Sequence, residues 1–291
     1  MLDLASHGPK LSIHMKAAFS VIIAILLPFN SAIAQTENDW QSWPLANHFT
    51  IDVSAMFPNL DTKVRVDASD TSLGTTIDFE QNLGMSDTEA LPVIGFSWRY
   101  AKKHQLNFAA FKLDRSGSAI TPTDISIGDE TFPVDLPIAS FLDMSVVNLM
   151  YSYSLVFDEK KELAFGAGLS IQDISFGLLG GAGLGIIEYA SGLTAPLPTF
   201  DIRGRYAFTD KWIGQLGIGL FSFDLAITDE EELSGDVRTA NALIQHHTFE
   251  HVYFGLGINY FDVKVDWSKN GLVNSIGYEY WGPVLTVTTA F

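Results

Sequence analysis

The most constraining feature of this chain is a two-residue alternation with apolar residues on one face and glycine, serine or asparagine on the other. In 252–260, Val252, Phe254, Leu256, Ile258 and Tyr260 alternate with Gly255, Gly257 and Asn259. In 147–157, Val147, Leu149, Tyr151, Tyr153, Leu155 and Phe157 oppose Asn148, Ser152 and Ser154. In 197–208, Phe200, Ile202, Tyr206 and Phe208 oppose Asp201, Arg203 and Arg205. Period two is the strand period. An apolar outside around a polar inside is the polarity of a β-barrel standing in lipid, where lipid-facing and lumen-facing residues alternate. A soluble sandwich accounts for the alternation but not for the terminal strand described below.

The connections fall into two kinds. Arg99–His104, Asp158–Glu162, Thr209–Lys211 and Phe249–His251 are short and charged or polar. Those between them are longer, at about 116–140, 177–196, 227–236 and 267–274. Membrane barrels have short periplasmic turns and longer external loops, so the asymmetry orients the chain. Nine segments follow from Leu91: 91–100, 104–116, 138–157, 162–176, 197–208, 212–226, 237–248, 251–266 and 274–291. Upstream, the apolar phase of Phe49, Ile51, Val53 and Phe57 shifts after Pro58-Asn59 to Leu60, Val64 and Val66. A two-residue turn there produces such a shift. Strands 48–57, 60–67 and 74–80 then bring the count to twelve; if 60–80 is an external loop, it is ten. The expected fold is an all-β, up-and-down antiparallel transmembrane barrel.

The N-terminal region reads as an export signal. Met15-Lys16 precedes an apolar run from Ala17 to Leu27, then Pro28 and Ala32-Ile33-Ala34-Gln35. A short basic region, an apolar stretch of about 11 residues and an A-x-A site predict cleavage after Ala34. A membrane anchor is excluded by the length of the run and by Pro28. Residues 1–14 fit no part of a signal and read as a start placed too early. The expected organisation is 1–14 extra, 15–34 signal peptide, 35–46 a short N-terminal segment and 47–291 the barrel. The mature chain then carries 15 basic and 33 acidic residues, net −18.

The last strand ends on Phe291, with Leu285, Val287 and Thr289 on the same face. A terminal aromatic behind alternating apolar residues resembles the assembly signal of outer-membrane barrels. Several phrases resemble an uncharacterised family of proteobacterial outer-membrane β-barrel proteins. They include Asp61-Thr62-Lys63-Val64-Arg65, Gly74 to Glu80 with Leu83-Gly84, and Leu113 to Ser118. Gly128 to Phe132, Leu197-Pro198, Gly255 to Asp262 and Tyr278 to Pro283 complete the set. The resemblance spans most of the mature chain and implies a barrel in the cell outer membrane. It implies no activity. Partners follow from the location: outer-membrane lipid and lipopolysaccharide, and the barrel assembly machinery.

The chemistry expected is sparse. A pI near 4.6 argues against nucleic acid, which needs clustered Lys and Arg. Absence of cysteine removes disulfides, thiolate metal sites and a lipid anchor together. His246, His247 and His251 suggest a metal site by spacing. Adjacent strand residues face opposite ways, however, so polar residues at the membrane rim are the preferred reading and no cofactor is expected. The glycine-rich 177–185 run lacks the Lys-Ser/Thr of a phosphate loop and reads as an apolar external loop, a cover or an entry for hydrophobic cargo. Asp229, Glu230, Glu231, Glu232 and Asp236 read as a solvated loop, with no calcium spacing. Asp201, Arg203 and Arg205 are the lumen candidates, tuning a pore rather than performing catalysis. The leading functional reading is a non-enzymatic barrel, a narrow porin-like channel or a structural envelope protein. The alternatives are a lipid- or peptide-processing barrel enzyme and a surface-binding protein acting through its loops.

Overall fold

The computed structural model describes residues 40–67, 74–182, 185–228, 231–269 and 272–291. The expected signal peptide, with Ala32, Ala34 and Gln35, lies outside them, as do loop acids Asp229 and Glu230. The strands are β1 (Phe49–Met56), β2 (Asn59–Val66), β3 (Ile77–Asp78), β4 (Leu91–Ala101) and β5 (His104–Ile120). β6 (Ile125–Ile127), β7 (Glu130–Phe132), β8 (Pro137–Phe157), β9 (Lys161–Ala182) and β10 (Gly185–Ala207) follow. The last four are β11 (Trp212–Thr228), β12 (Glu231–Phe249), β13 (Val252–Lys269) and β14 (Leu272–Ala290).

Twelve strands share the main sheet, and ten close the ring in the order β1-β4-β5-β8-β9-β10-β11-β12-β13-β14 and back to β1. Every pairing is antiparallel. The four short turns stand where the sequence places them. The ring itself has ten strands, the smaller of the two counts.

The reason lies at Pro58. β1 pairs with β14 from Thr50↔Ala290 to Met56↔Val284, and β2 continues the same register from Asn59↔Trp281 to Val66↔Asn274. The Phe57 N–H donates to the Pro283 carbonyl at 3.0 Å, bridging the two. There is no turn at Pro58-Asn59; one strand runs through. Even-numbered residues face inward throughout. What changes is their chemistry: Thr50, Asp52 and Ser54 give way to Leu60, Val64 and Val66, while the outward residues pass from Phe49, Ile51 and Val53 to Asp61, Lys63 and Arg65. The phase shift in the sequence is a reversal of polarity along a straight strand.

The same reversal crosses the ring. On β8 the outward Val147, Leu149, Tyr151 and Tyr153 face inward Asn148, Ser152 and Ser154, but Asp143 and Ser145 lie outside where Leu142, Met144 and Val146 lie inside. On β13 it falls between Tyr260 and Asp262 outside, and between Asn259 and Val263 inside. Ala240, Tyr260, Trp281 and Asn59 stand in register at the boundary, and Arg238, Asp262, Glu279 and Asp61 form the next row. Lys63 in the row above donates to Asp61 at 2.6 Å, which holds its ammonium pKa above the usual lysine value. The apolar outer belt spans nine positions on β13 (252–260), close to the ~9–11 residues a tilted membrane strand needs. Trp98, Tyr100, Tyr153, Tyr206 and Trp212 ring its turn end, as aromatic girdles do.

Beyond the belt the strands continue, so most of the expected loops are not loops. β9 reaches Ala182 and β10 starts at Gly185, so 177–182 and 185–190 are paired strand. Likewise β11 and β12 run to Thr228 and from Glu231, and β13 and β14 to Lys269 and from Leu272. A strand with polar outward residues pairs its backbone as well as a lipid-facing one does, so the ladder outlasts the apolar pattern.

β4 does not extend this far, and residues 77–90 fill its place between β2 and β5. β3 pairs with β2 at Lys63↔Asp78 and Val64↔Ile77, and Asn59 bridges to Thr88. Arg115 on β5 clasps the segment, donating to Glu80 at 2.6 Å, the Thr62 hydroxyl at 3.0 Å and the Ser86 carbonyl at 2.5 Å. Gly117 permits the close approach, since a Cβ there would stand 2.5 Å from the Leu83 carbonyl oxygen.

Candidate functional site

The lumen is the place where this fold brings chemistry together, and its two ends are built differently. At the turn end, residues 40–47 cross the opening. Trp40–Ser42 form a 3-10 turn, and Leu45 and Ala46 are buried against Phe157, Ala207, Ile213, Tyr253 and Ala290. Phe157 belongs by alternation to the outward face of β8, but a register shift between Ser154 and Val156 turns it inward. Its ring then packs 5.4 Å from Trp43 and takes the Arg99 guanidinium 4.4 Å from its centroid.

Above this plug lies a buried ionic cluster. Glu162 Oε1 accepts from Arg99 at 2.6 Å and from Ser154 at 2.5 Å, and Oε2 accepts from Arg205 at 3.1 Å. Arg99 also donates to Gln105 at 3.0 Å, and Arg203 donates to the same oxygen at 3.2 Å. Arg205 reaches the Leu45 carbonyl at 3.4 Å, tying the plug to the cluster. Asp52 faces the lumen and accepts from Thr288 at 2.5 Å.

All three lumen candidates face inward, yet they do not act as one set. Arg203 and Arg205 border a cavity of about 430 Å³ with Asp52, Gln105, Asn107 and Gln215. Asp201 lies higher, packed over Gly166, on a second cavity of about 220 Å³. Sequence reasoning missed Arg99 and Glu162, which stand where strands 91–100 and 162–176 overlap the charged turns, by counting both with the turn charges. Their phase was the available signal: Arg99 follows Gly95 and Ser97, and Glu162 precedes Gly166 and Gly168, each on the inner face.

At the far end the interior turns apolar. Leu60, Val64, Leu113, Leu142, Phe176 and Val263 are among the residues that fill it. The β6–β7 hairpin folds over this core with Ile125, Ile127 and Phe132 essentially fully buried. Thr121 closes the base of the excursion, exchanging backbone hydrogen bonds with Asp135 and Leu136 at 3.0 Å each. Residues 40–47 thus pack across one end of the barrel, and an apolar cluster occupies the interior of the other.

His246, His247 and His251 do not converge on one point. His246 packs on Trp212 outside, 4.6 Å between centroids, while His247 stacks on Tyr253 inside at 4.4 Å. His251 bonds to the Ala290 carbonyl at 3.0 Å. Among the described residues no group of three or more His, Cys, Asp or Glu side chains is placed to hold a metal ion. Leu285 and Val287 face outward on β14, and Phe291 closes the ring by exchanging backbone hydrogen bonds with Phe49 at 2.9 and 3.0 Å.

No protein-family model matches this chain, and no curated protein matches it in sequence. Solved structures of outer-membrane proteins do match. The outer-membrane protease OmpT from Escherichia coli is 13% identical with a TM-score of 0.55, over 84% of this chain and 96% of that one. The Pseudomonas putida toluene transporter TodX is 7% identical with a TM-score of 0.35, over 88% and 95%. The outer-membrane protein OprG from Pseudomonas aeruginosa is 10% identical with a TM-score of 0.32, over 81% and 95%. The chain shares the outer-membrane barrel fold with OmpT, and at this identity the likeness extends to fold alone.

Proposed function

We propose that this chain is a non-enzymatic outer-membrane barrel of the cell envelope, closed along its axis, and that it belongs with the proteobacterial barrel family its phrases resemble. The observation that carries this reading is the packing of residues at both ends of the lumen. Ten strands leave little free bore once side chains fill it, and here an apolar core fills one half while residues 40–47 cap the other. Short turns then face the periplasm and the long strand ends face outward. The signal at 15–34 delivers the chain, with Gln35 as the mature N-terminus. Leu285, Val287 and Phe291 present the assembly signal, and lipid with lipopolysaccharide surrounds the belt.

The enzyme alternative draws on OmpT being a protease. Against it, the five histidines of the described residues, His48, His104, His246, His247 and His251, all stand at the turn end, away from the outer mouth. The test is conductance in planar bilayers with purified, folded protein. Wild type gives no current steps, and deletion of residues 40–46 gives none either, because the apolar core still blocks the axis. Steady single-channel steps from wild type overturn the reading.

A further inference from the structure

The wall of the barrel has a fork. β10 pairs with β9 along its whole length, from Gly185↔Ala182 to Tyr206↔Lys161. With β11 it pairs only from Asp201↔Gly219 to Ala207↔Ile213, while β11 goes on pairing with β12 up to Thr228. Above Asp201 and Gly219 the two strands part.

Proline explains why. Pro196 and Pro198 are paired to β9, opposite Ile171 and Leu169. A proline in a ladder must place its nitrogen at the edge away from its partner, because it has no N–H to give. Here that edge faces β11, so two successive donors that would carry the β10–β11 ladder upward are missing.

The fork opens at the outer boundary of the apolar belt. Phe200 and Leu220, its two lips, face outward at 50% and 70% exposure. The 220 Å³ cavity lies directly behind them, bordered by Phe200, Asp201, Gly219 and Leu220. Phe200 reaches across the fork to Phe221, 5.3 Å between ring centroids. The deeper wall is mixed: Phe111, Val146, Met150, Phe261, Tyr278 and Tyr280 against Asn148, Thr239, Asn241 and Asn259. Among the described residues that border it, Asp201 is the one with a charge, and none is a lysine or arginine.

We propose that this fork is a lateral binding site for a small neutral amphiphile arriving from the outer leaflet. An apolar cavity of about 150 Å³ suffices for benzene, so this one holds a single ring or a short chain. The asparagines and Thr239 hydrogen-bond a hydroxyl or carbonyl head. Asp201, with no cation on the cavity wall, disfavours a carboxylate. An extended peptide or a second copy adding to the β10 edge is disfavoured by the same two prolines, since they remove edge donors. The site needs the barrel to stand in a membrane but does not depend on its axial closure.

The test uses the folded protein in nanodiscs with 4-fluorophenol as probe, read by fluorine NMR. Wild type binds it saturably, and decanoate does not compete. Thr239→Phe, and independently Met150→Phe on the opposite wall, fill the cavity and weaken binding by at least about tenfold. Pro196→Thr with Pro198→Thr restores the missing donors, so association slows by about tenfold while affinity stays near wild type. Folding of each variant is read from heat-modifiable gel migration. No saturable binding, or binding indifferent to both cavity variants, overturns the proposal. An unchanged association rate in the proline variant overturns the fork as the entrance. Competition by decanoate, or peptide binding in place of probe binding, overturns the assigned ligand class.

Discussion

Glu162→Gln is the sharpest probe of the lumen cluster. The carboxylate is fully buried, with Arg99 at 1% and Arg205 at 13% side-chain exposure. It accepts three hydrogen bonds, two of them from guanidinium groups. Glutamine keeps the shape but turns one acceptor into a donor facing an arginine, and leaves two cations without their shared anion. Bonds to charged groups contribute ~1.5–3 kcal/mol each, and breaking a buried pair by removing one partner costs ~3–5 kcal/mol. Arg205 borders the 430 Å³ cavity, where solvation offsets part of the loss, so a destabilisation of about 3 kcal/mol is expected. Urea unfolding in detergent, followed by tryptophan fluorescence and heat-modifiable migration, measures it. Replacing Arg99 and Glu162 together by methionine removes the more deeply buried of the two stranded cations and leaves only Arg205, beside the cavity. That pair therefore costs less than the sum of its single variants, with a coupling of about 2 kcal/mol. A loss below ~1 kcal/mol for Glu162→Gln, with additive partners, would refute the claim that the cluster is a desolvated unit.

The remaining expectations concern the belt, the inserted segment and the plug. Leu256→Arg in the middle of the lipid-facing row destabilises the barrel by ~2–4 kcal/mol in a bilayer. Ser145→Arg, outward but beyond the polarity reversal, changes it by no more than ~0.5 kcal/mol; similar costs for the two variants would put the boundary elsewhere. Arg115→Met strands Glu80 and costs ~3–5 kcal/mol locally. Glutamyl protease then cuts at Glu80 or Glu89 in intact proteoliposomes, whereas resistance equal to wild type would mean the clasp is dispensable. Leu45→Ala lowers unfolding stability by ~2–5 kcal/mol, and an unaffected midpoint would show that residues 40–47 do not pack against the barrel.

Much of the fold is legible in the sequence where turn chemistry and alternation agree. Lys102-Lys103, Asp158-Glu159-Lys160 and Thr209-Asp210-Lys211 interrupt apolar alternation with charge, and the chain turns at each. Inward Asp201, Arg203 and Arg205 follow from the same parity. The far ends were not legible, because backbone pairing leaves no trace in side-chain hydropathy once a strand leaves lipid. Glycine-rich 177–185 looks like a loop by composition, yet Gly177, Gly180 and Gly181 are ladder members opposite Ala190, Ile187 and Ile186. Glu162 was hidden for a different reason. It follows Asp158-Glu159-Lys160-Lys161, so a residue with two buried cations as partners reads as one more exposed turn charge.

The polarity reversal also explains why height and closure go together in this barrel. A wall segment with lipid outside is stabilised by apolar outward residues and leaves its inner face free for Asn107, Ser152 or Thr286. Once the same wall stands in water, its outward residues become Asp61, Asp143 or Lys264, and apolar burial has to come from the inside. Leu142, Phe176 and Val263 then join one buried apolar cluster inside the ring, as side chains pack inside a soluble barrel. A ring of ten strands has no room for both that core and an aqueous path. Projection beyond the membrane and an apolar interior are thus one physical event, and the proposed access to the polar half is from the side, where β10 stops pairing with β11 above Asp201 and Gly219.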